Sequence, residues 1–346
     1  MNGERPDARG ASPMNGGTGL HMLSLGEARA RIGEGGLLPS DYARWLIAHM
    51  QGSDAAIHAW AHFDADHVER RSAAADLVHR TAQAPLHGIP IGVKDIIATA
   101  ELPTQYGSPA FAGHREAFDA ACVTRIGAAG GYVFGKTVTT EFAFMQPGPT
   151  RNPWNHAHTP GGSSSGSAAA VAARHVPAAL GTQTNGSVIR PAAFCGVVGF
   201  KPTHGIADFT GTFTFSETLD TLGTFTRNVA DAVRLASVLA GPGHIAPSIA
   251  AHERPPRIAY LATYPWVALD CDADDTLDAA ATRLRLAGAE VVPVMLPDAL
   301  HDAPAQHRTI MLHEGAANLA AVPRAALSAT LAGALADGEA IDRGEY

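Results

Sequence analysis

Residues Thr159–Thr203 read TPGGSSSGSAAAVAARHVPAALGTQTNGSVIRPAAFCGVVGFKPT. Two serines, Ser163 and Ser187, stand in glycine-rich turns 24 residues apart, and an alanine-rich segment of helical character joins them. Ser167 to Arg174 is expected as helix and Gly196 to Phe200 as a buried apolar strand. About seventy residues upstream, Leu86–Asp95 reads LHGIPIGVKD and sets Lys94 at the end of an apolar extended segment. A hydroxyl in a glycine-rich turn and a lysine ending a buried strand are ordinary features singly. Together they are the materials of nucleophilic catalysis.

The rest of the chain bounds that reading. With 346 residues, 46% hydrophobic and 17% charged, it can bury a large core in one big domain or two. A net charge of −8 offers no basic footprint for nucleic acid. Polar residues interrupt every apolar run before the roughly 18 residues that a membrane span needs. Three cysteines, Cys122, Cys195 and Cys271, are too few and odd in number for a disulfide framework, which makes a soluble, cytoplasmic protein the default expectation. Residues 1–21, rich in Gly, Pro, Asn and charge, are expected to form a disordered leader, with a domain over 22–346.

Along that domain, Ser24-Leu25-Gly26-Glu27 has capping-box spacing. Ser40 is expected to cap a second helix carrying Tyr42, Trp45, Leu46 and Met50, and a third helix is expected from about Ala65 to Ala82. These form an N-terminal helical layer. Helix and strand then alternate. Asp119–Ala129, Asn228–Leu239 and Asp274–Ala287 read as helix, and Tyr132–Phe134, Ile258–Leu261 and Val291–Val294 as strand. Such alternation predicts an α/β architecture with helices on both faces of a sheet.

The blocks around Lys94, Ser163 and Ser187 together resemble the amidase signature family, serine hydrolases that cleave carboxamide C–N bonds with a Ser–Ser–Lys triad. The resemblance implies a single large domain around a twisted mixed β-sheet. It also assigns roles by position: Ser187 as nucleophile, Ser163 as bridging serine after a cis Gly162–Ser163 peptide, and Lys94 as general base. The backbone N–H groups of Thr184, Asn185, Gly186 and Ser187 would receive the oxyanion. Gly186 suits that place, because a close approach of backbone to substrate leaves no room for a Cβ. To act as base, Lys94 must be neutral, far from its free pKa near 10.4, and burial is the means. Asp95 follows directly, but neighbours in an extended segment point to opposite faces and need not pair. Met145 and Gln146, after Glu141–Phe144, are expected in the pocket wall.

The sequence departs from the family in the nucleophile loop. Gln183 and Ile189 stand where the family carries Asp and Arg, Arg190 is shifted by one residue before Pro191, and Asn185 replaces a second glycine. Members of the family also run past this length, so the resemblance implies a chain lacking the family's C-terminal portion. Two patterns are decoys. Gly130–Thr137 fits the G-x-x-x-x-G-K-[ST] form of a phosphate loop, but helix formers precede it and Tyr-Val-Phe fills it, so helix, turn and strand are expected. His156 and His158 sit in an Asn/Pro-rich loop with no orienting carboxylate. The expected activity is hydrolysis of a small-molecule amide, with no cofactor, metal, nucleic acid or membrane and with a homodimer left open. The alternatives are a glutamine-dependent amidotransferase A-type subunit and an inactive fragment.

Overall fold

The computed structural model describes residues 19–78, 84–241, 243–245, 254–261, 264 and 266–346. Residues 1–18 of the expected leader therefore lie outside the described residues, while Leu20 and Leu23 are already packed into the core. The N-terminal layer holds α1 (Leu25–Gly33), α2 (Pro39–Gln51), α3 (Asp54–Ile57), the short strand β1 (Trp60–His62) and α4 (Ala65–Leu77). Ser24 and Glu27 form the expected capping box, with the Glu27 N–H donating to Ser24 Oγ at 3.2 Å and the Ser24 N–H to Glu27 Oε2 at 2.8 Å. Ser40, by contrast, does not cap α2. Pro39, whose fixed φ is already helical, opens that helix from Leu38, and the Ser40 N–H donates to Asp76 Oδ1 of α4 at 3.1 Å. The end expected for α4, 79–82, falls outside the described residues.

The central sheet adds β2 (Pro90–Lys94), β3 (Tyr132–Thr137), β4 (Ala178–Gln183), β5 (Val198–Phe200) and β6 (Thr221–Thr226), in the order β1-β3-β2-β4-β6-β5. β3, β2 and β4 run parallel; β1, β6 and β5 pair antiparallel to their neighbours. Every residue of β2, β3 and β6 is buried, as expected for strands covered on both faces. β5 departs from the expectation of a buried strand: it is the sheet's edge, with Phe200 37% exposed. Apolar composition does not measure depth, because an edge strand can be equally apolar.

Register assigns the two faces. Lys94 pairs with Thr137, and Val93 with Lys136, so Lys94 and Lys136 emerge on opposite sides of neighbouring strands. The Lys94 face carries α6 (Ser165–Ala172), whose Ser167 Oγ lies 2.7 Å from Thr137 Oγ1 and donates to the Leu180 carbonyl at 2.7 Å. The other face carries α5 (Ala121–Ala128), which packs against β3 with Cys122 buried. There Lys136 forms a buried ion pair with Asp95 at 3.4 Å and donates to the carbonyls of Ile97 and Pro103 and to Thr99 and Thr104 Oγ1. The phosphate-loop look-alike is thus α5, a Gly130-Gly131 turn and β3, with its lysine enclosed in the core.

Beyond the sheet come α7 (Ile189–Cys195), α8 (Val229–Ala240), β7 (Arg257–Leu261), α9 (Cys271–Leu286), β8 (Glu290–Val294), α10 (Ala303–Asn318) and α11 (Ala329–Ala340). β7 and β8 pair in parallel as a separate two-stranded sheet. α10 and α11 bury Ala316, Leu319, Leu331 and Leu335 against Phe142 and Phe215, and the Ser328 N–H donates to the buried carboxylate of Glu141 at 3.1 Å. Among the described residues no helix is long and apolar enough to cross a membrane.

Small side chains let α6 approach the sheet. A Cβ on Gly166 would lie 2.3 Å from both the Ala59 carbonyl oxygen and the Val138 nitrogen, neither of which can move freely. Gly166→Ala should therefore cost at least the ~1–3 kcal/mol of an overpacked core. Gly127→Ala in α5, where a Cβ meets nothing within 4 Å, should be neutral or gain up to ~1 kcal/mol from helix propensity. Denaturant titration of the two variants checks this, and equal midpoints would contradict the packing.

Candidate active site

Lys94 ends β2 fully buried, with Nζ 2.7 Å from Ser163 Oγ and 2.8 Å from Thr182 Oγ1 at the end of β4. Among the described residues no carboxylate touches it. Removal from water, only partly opposed by the charge of Asp220, brings its pKa down to about 7. Lys136 is buried to the same degree, but there the charge and hydrogen bond of Asp95 oppose the desolvation. Lys94 is thus a lysine poised to exchange a proton near neutrality, with a serine hydroxyl in reach.

Ser163 precedes the N-terminus of α6, and the Gly162–Ser163 peptide is cis. The Ser163 carbonyl accepts the Thr140 N–H at 3.2 Å. Gly161, at φ +75, turns the chain into this segment where a Cβ would come within 3.0 Å of the Pro191 backbone. Arg190 spans from α7 to the same place: its Nε and Nη2 both donate to the Gly162 carbonyl, at 3.0 and 2.8 Å. The arginine shifted along the sequence therefore ties the start of α7 to the peptide of Ser163.

Ser187 lies between β4 and α7, buried but facing a cavity of about 650 Å³ that is also lined by Phe144, Met145, Asn185, Arg190 and His307. Gln146 is exposed and is not among the lining residues. Among the described residues, neither Ser187 Oγ nor the backbone N–H groups of Thr184, Asn185, Gly186 and Ser187 have a hydrogen-bond partner. Four consecutive free donors beside a free hydroxyl can receive a negative oxygen. Gln183 holds the base of this loop, with Oε1 accepting the Val188 and Ile189 N–H groups at 2.9 and 3.1 Å. A neutral amide serves here without needing a cation beside it. The far side of the loop is held by Asp220, which accepts from Thr184 Oγ1 at 2.5 Å.

Lys94 and Ser163 are thus in contact, while Ser187 opens toward the cavity. His156 and His158 remain exposed. Thr182, Asp220 and His307, none of them singled out in the sequence, belong to the same site. Thr182 carries a weak signal, being one side-chain period before the loop on a strand that runs beside Lys94. Asp220 and His307 come from distant segments and carry none. Among the described residues no group of three or more His, Cys, Asp or Glu side chains could hold a metal ion.

Comparison with known proteins identifies the family. The family model described as Amidase matches residues 42–337. The A-type subunit of glutamyl-tRNA(Gln) amidotransferase from Solidesulfovibrio magneticus is 35% identical over 321 residues, 87% of this chain and 66% of that protein. Its counterpart from Symbiobacterium thermophilum is 41% identical over 230 residues, 64% of this chain and 47% of that protein. The chain spans just under two thirds of the length of the first of these relatives. Among solved structures, native peptide amidase from Stenotrophomonas maltophilia has a TM-score of 0.76 at 33% identity, covering 86% of this chain and 67% of its own. A crystal structure described simply as that of an amidase has a TM-score of 0.84 at 30% identity, with 94% and 75% covered.

The burial of Lys94 predicts a stability signature that needs no substrate. Between about pH 7 and 10.5 the unfolded lysine holds a proton that the folded one lacks, so stability rises with pH across that window, by at most about 1.4 kcal/mol per unit. Lys136 acts in the same direction, and comparison with Lys94→Met removes its part. The denaturation midpoint of the parent chain should climb more steeply from pH 7 to 10 than that of Lys94→Met. Parallel curves would mean that folded Lys94 keeps its charge.

Proposed function

We propose that this chain, which belongs to the amidase family, hydrolyses a carboxamide C–N bond through an acyl-enzyme on Ser187. The observation that carries the reading is the 2.7 Å contact between Ser163 and a fully buried Lys94 whose pKa burial lowers to about 7, together with a Ser187 that faces a cavity. In this mechanism Ser187 Oγ attacks the carbonyl carbon while its proton passes to Ser163, whose own proton passes to Lys94 Nζ. The oxygen that becomes negative is received by the free N–H groups of Thr184–Ser187. Lys94, now an ammonium, returns the proton through Ser163 to the departing nitrogen, and ammonia or an amine leaves. Water then attacks the ester of Ser187 by the same proton path, and Ser187 is restored. Thr182 orients Lys94 by accepting one of its N–H bonds, which leaves the nitrogen lone pair for Ser163. The substrate in this reading is a small-molecule amide lying in the cavity against Met145 and Phe144, and the site calls for no cofactor.

A second reading is favoured by one observation, that the curated relatives are A-type subunits of glutamyl-tRNA(Gln) amidotransferase. The same chemistry would then release ammonia from glutamine in an assembly with other subunits. Gln183 and Ile189, where the family carries Asp and Arg, weigh toward the simple amidase.

Ser187→Ala and Lys94→Met should each lower amide turnover by at least about a thousandfold while the fold persists, as for other triad members. A fluorophosphonate should modify Ser187 in the parent chain, read by mass spectrometry. Turnover should rise with pH through about 7 and then level, because protonated Lys94 cannot act as base. Near-parental turnover in either variant, or a flat profile from pH 5.5 to 8.5, would contradict the assignment. Ammonia release from glutamine that appears only with co-purifying subunits would favour the second reading.

A further inference from the structure

We propose that Asp220 is the positioning residue of this site: its carboxylate holds Thr184, and with it the run of N–H groups through Ser187, and its charge acts on Lys94. The inference rests on the hydrolytic reading above and adds a residue to it. Asp220 sits at the entrance of β6, 8% exposed. One oxygen, Oδ1, accepts from Thr184 Oγ1 at 2.5 Å, and the other, Oδ2, accepts the Phe215 and Ser216 N–H groups at 2.7 and 3.1 Å. The carboxylate therefore joins the nucleophile loop to the 215–220 turn.

That turn is itself fixed from the far side. Glu314 of α10, also buried, accepts from the Ser216 and Thr218 hydroxyls, from the Thr218 N–H at 3.1 Å and from the Tyr346 hydroxyl at 2.7 Å. On the same helix His307 Nε2 lies 3.3 Å from the Thr184 carbonyl. Thr184 is thus held by its hydroxyl and its carbonyl, while its N–H has no partner among the described residues.

The charges around Lys94 single out Asp220. Asp95, next in sequence, lies on the other sheet face with Lys136. Arg190 is engaged by the Gly162 carbonyl, His307 faces Thr184, and Glu314 is saturated by its own donors. Among the described residues Asp220 is the one group whose charge opposes the desolvation of Lys94, and Lys94 in turn favours the ionised form of a carboxyl that burial pushes up. A neutral residue that merely filled this space would leave Lys94 with hydroxyls alone.

Two variants separate the tether from the charge. Asp220→Asn can turn its carbonyl to the Phe215 and Ser216 N–H groups and its amide to Thr184, keeping the tether and losing the charge. Thr184→Val keeps the charge and loses the tether. The rate at which a fluorophosphonate modifies Ser187, followed against pH by mass spectrometry, should show a midpoint displaced to lower pH in Asp220→Asn, since a protonated Lys94 there has lost its anion. Thr184→Val should label about tenfold or more slowly with the midpoint unmoved, a loss in the range of misplaced oxyanion donors. An unmoved midpoint in Asp220→Asn, or parental labelling in Thr184→Val, would overturn the proposal. Absence of label on the parent chain would count against the hydrolytic reading alone. The charge is then decided without it, by a double-mutant cycle of Asp220→Asn and Lys94→Met on the denaturation midpoint. Coupling that is larger at pH 6 than at pH 9 supports the proposal, and equal coupling at both overturns it.

Discussion

Everything at this site depends on one costly placement, a lysine taken out of water at the end of a central strand. The fold buries two lysines on adjacent strands and treats them differently. Lys136 receives a carboxylate, two carbonyls and two hydroxyls, and is held as a structural cation. Lys94 receives two hydroxyls, and among the described residues only the charge of Asp220 opposes its desolvation. Alternation along β2 makes the difference possible, because it sends Lys94 to one face and Asp95 to the other. Had the acid pointed to the same side, its charge would oppose the desolvation of Lys94 as it does that of Lys136.

The loop around Ser187 is the second constraint. Its N–H groups can serve an oxyanion only while no protein acceptor takes them, yet a loop with free donors needs other anchors. Gln183 supplies one at its base, Asp220 another at Thr184, and the Arg190 fork ties the start of α7 to the Gly162 carbonyl. The exchange of a charged pair for Gln183 and Ile189 is intelligible in these terms. An amide oxygen caps the same two N–H groups that a carboxylate would, and a neutral group there leaves no buried charge in need of a partner.

Much of this is legible in the chain itself. The spacing of Lys94, Ser163 and Ser187, the helical character of the segment between the serines and the alternation of helix and strand all lie in local sequence. The cis Gly162–Ser163 peptide follows from the resemblance. What is not legible depends on contacts between distant segments. Asp220 reaches Thr184 across 36 positions and Glu314 reaches the 216–218 turn across 96 to 98, and no periodicity marks either. β4 and β6 escape a reading by composition because their Ala, Gly and Thr residues lack the bulk of a typical strand, although it is this smallness that admits α6 and the loop. Ser40 misleads for a local reason: Pro39 starts the helix before it.

The central claim is that Lys94 is neutral over most of the working pH range. Its side-chain carbon next to the nitrogen can be followed by NMR in the full chain with isotopically labelled lysine, assigned by comparison with Lys94→Met. The account predicts a titration midpoint near 7. A midpoint near the ordinary lysine value of about 10.4 would contradict it, since a lysine that stays protonated to that pH cannot take the proton of Ser163.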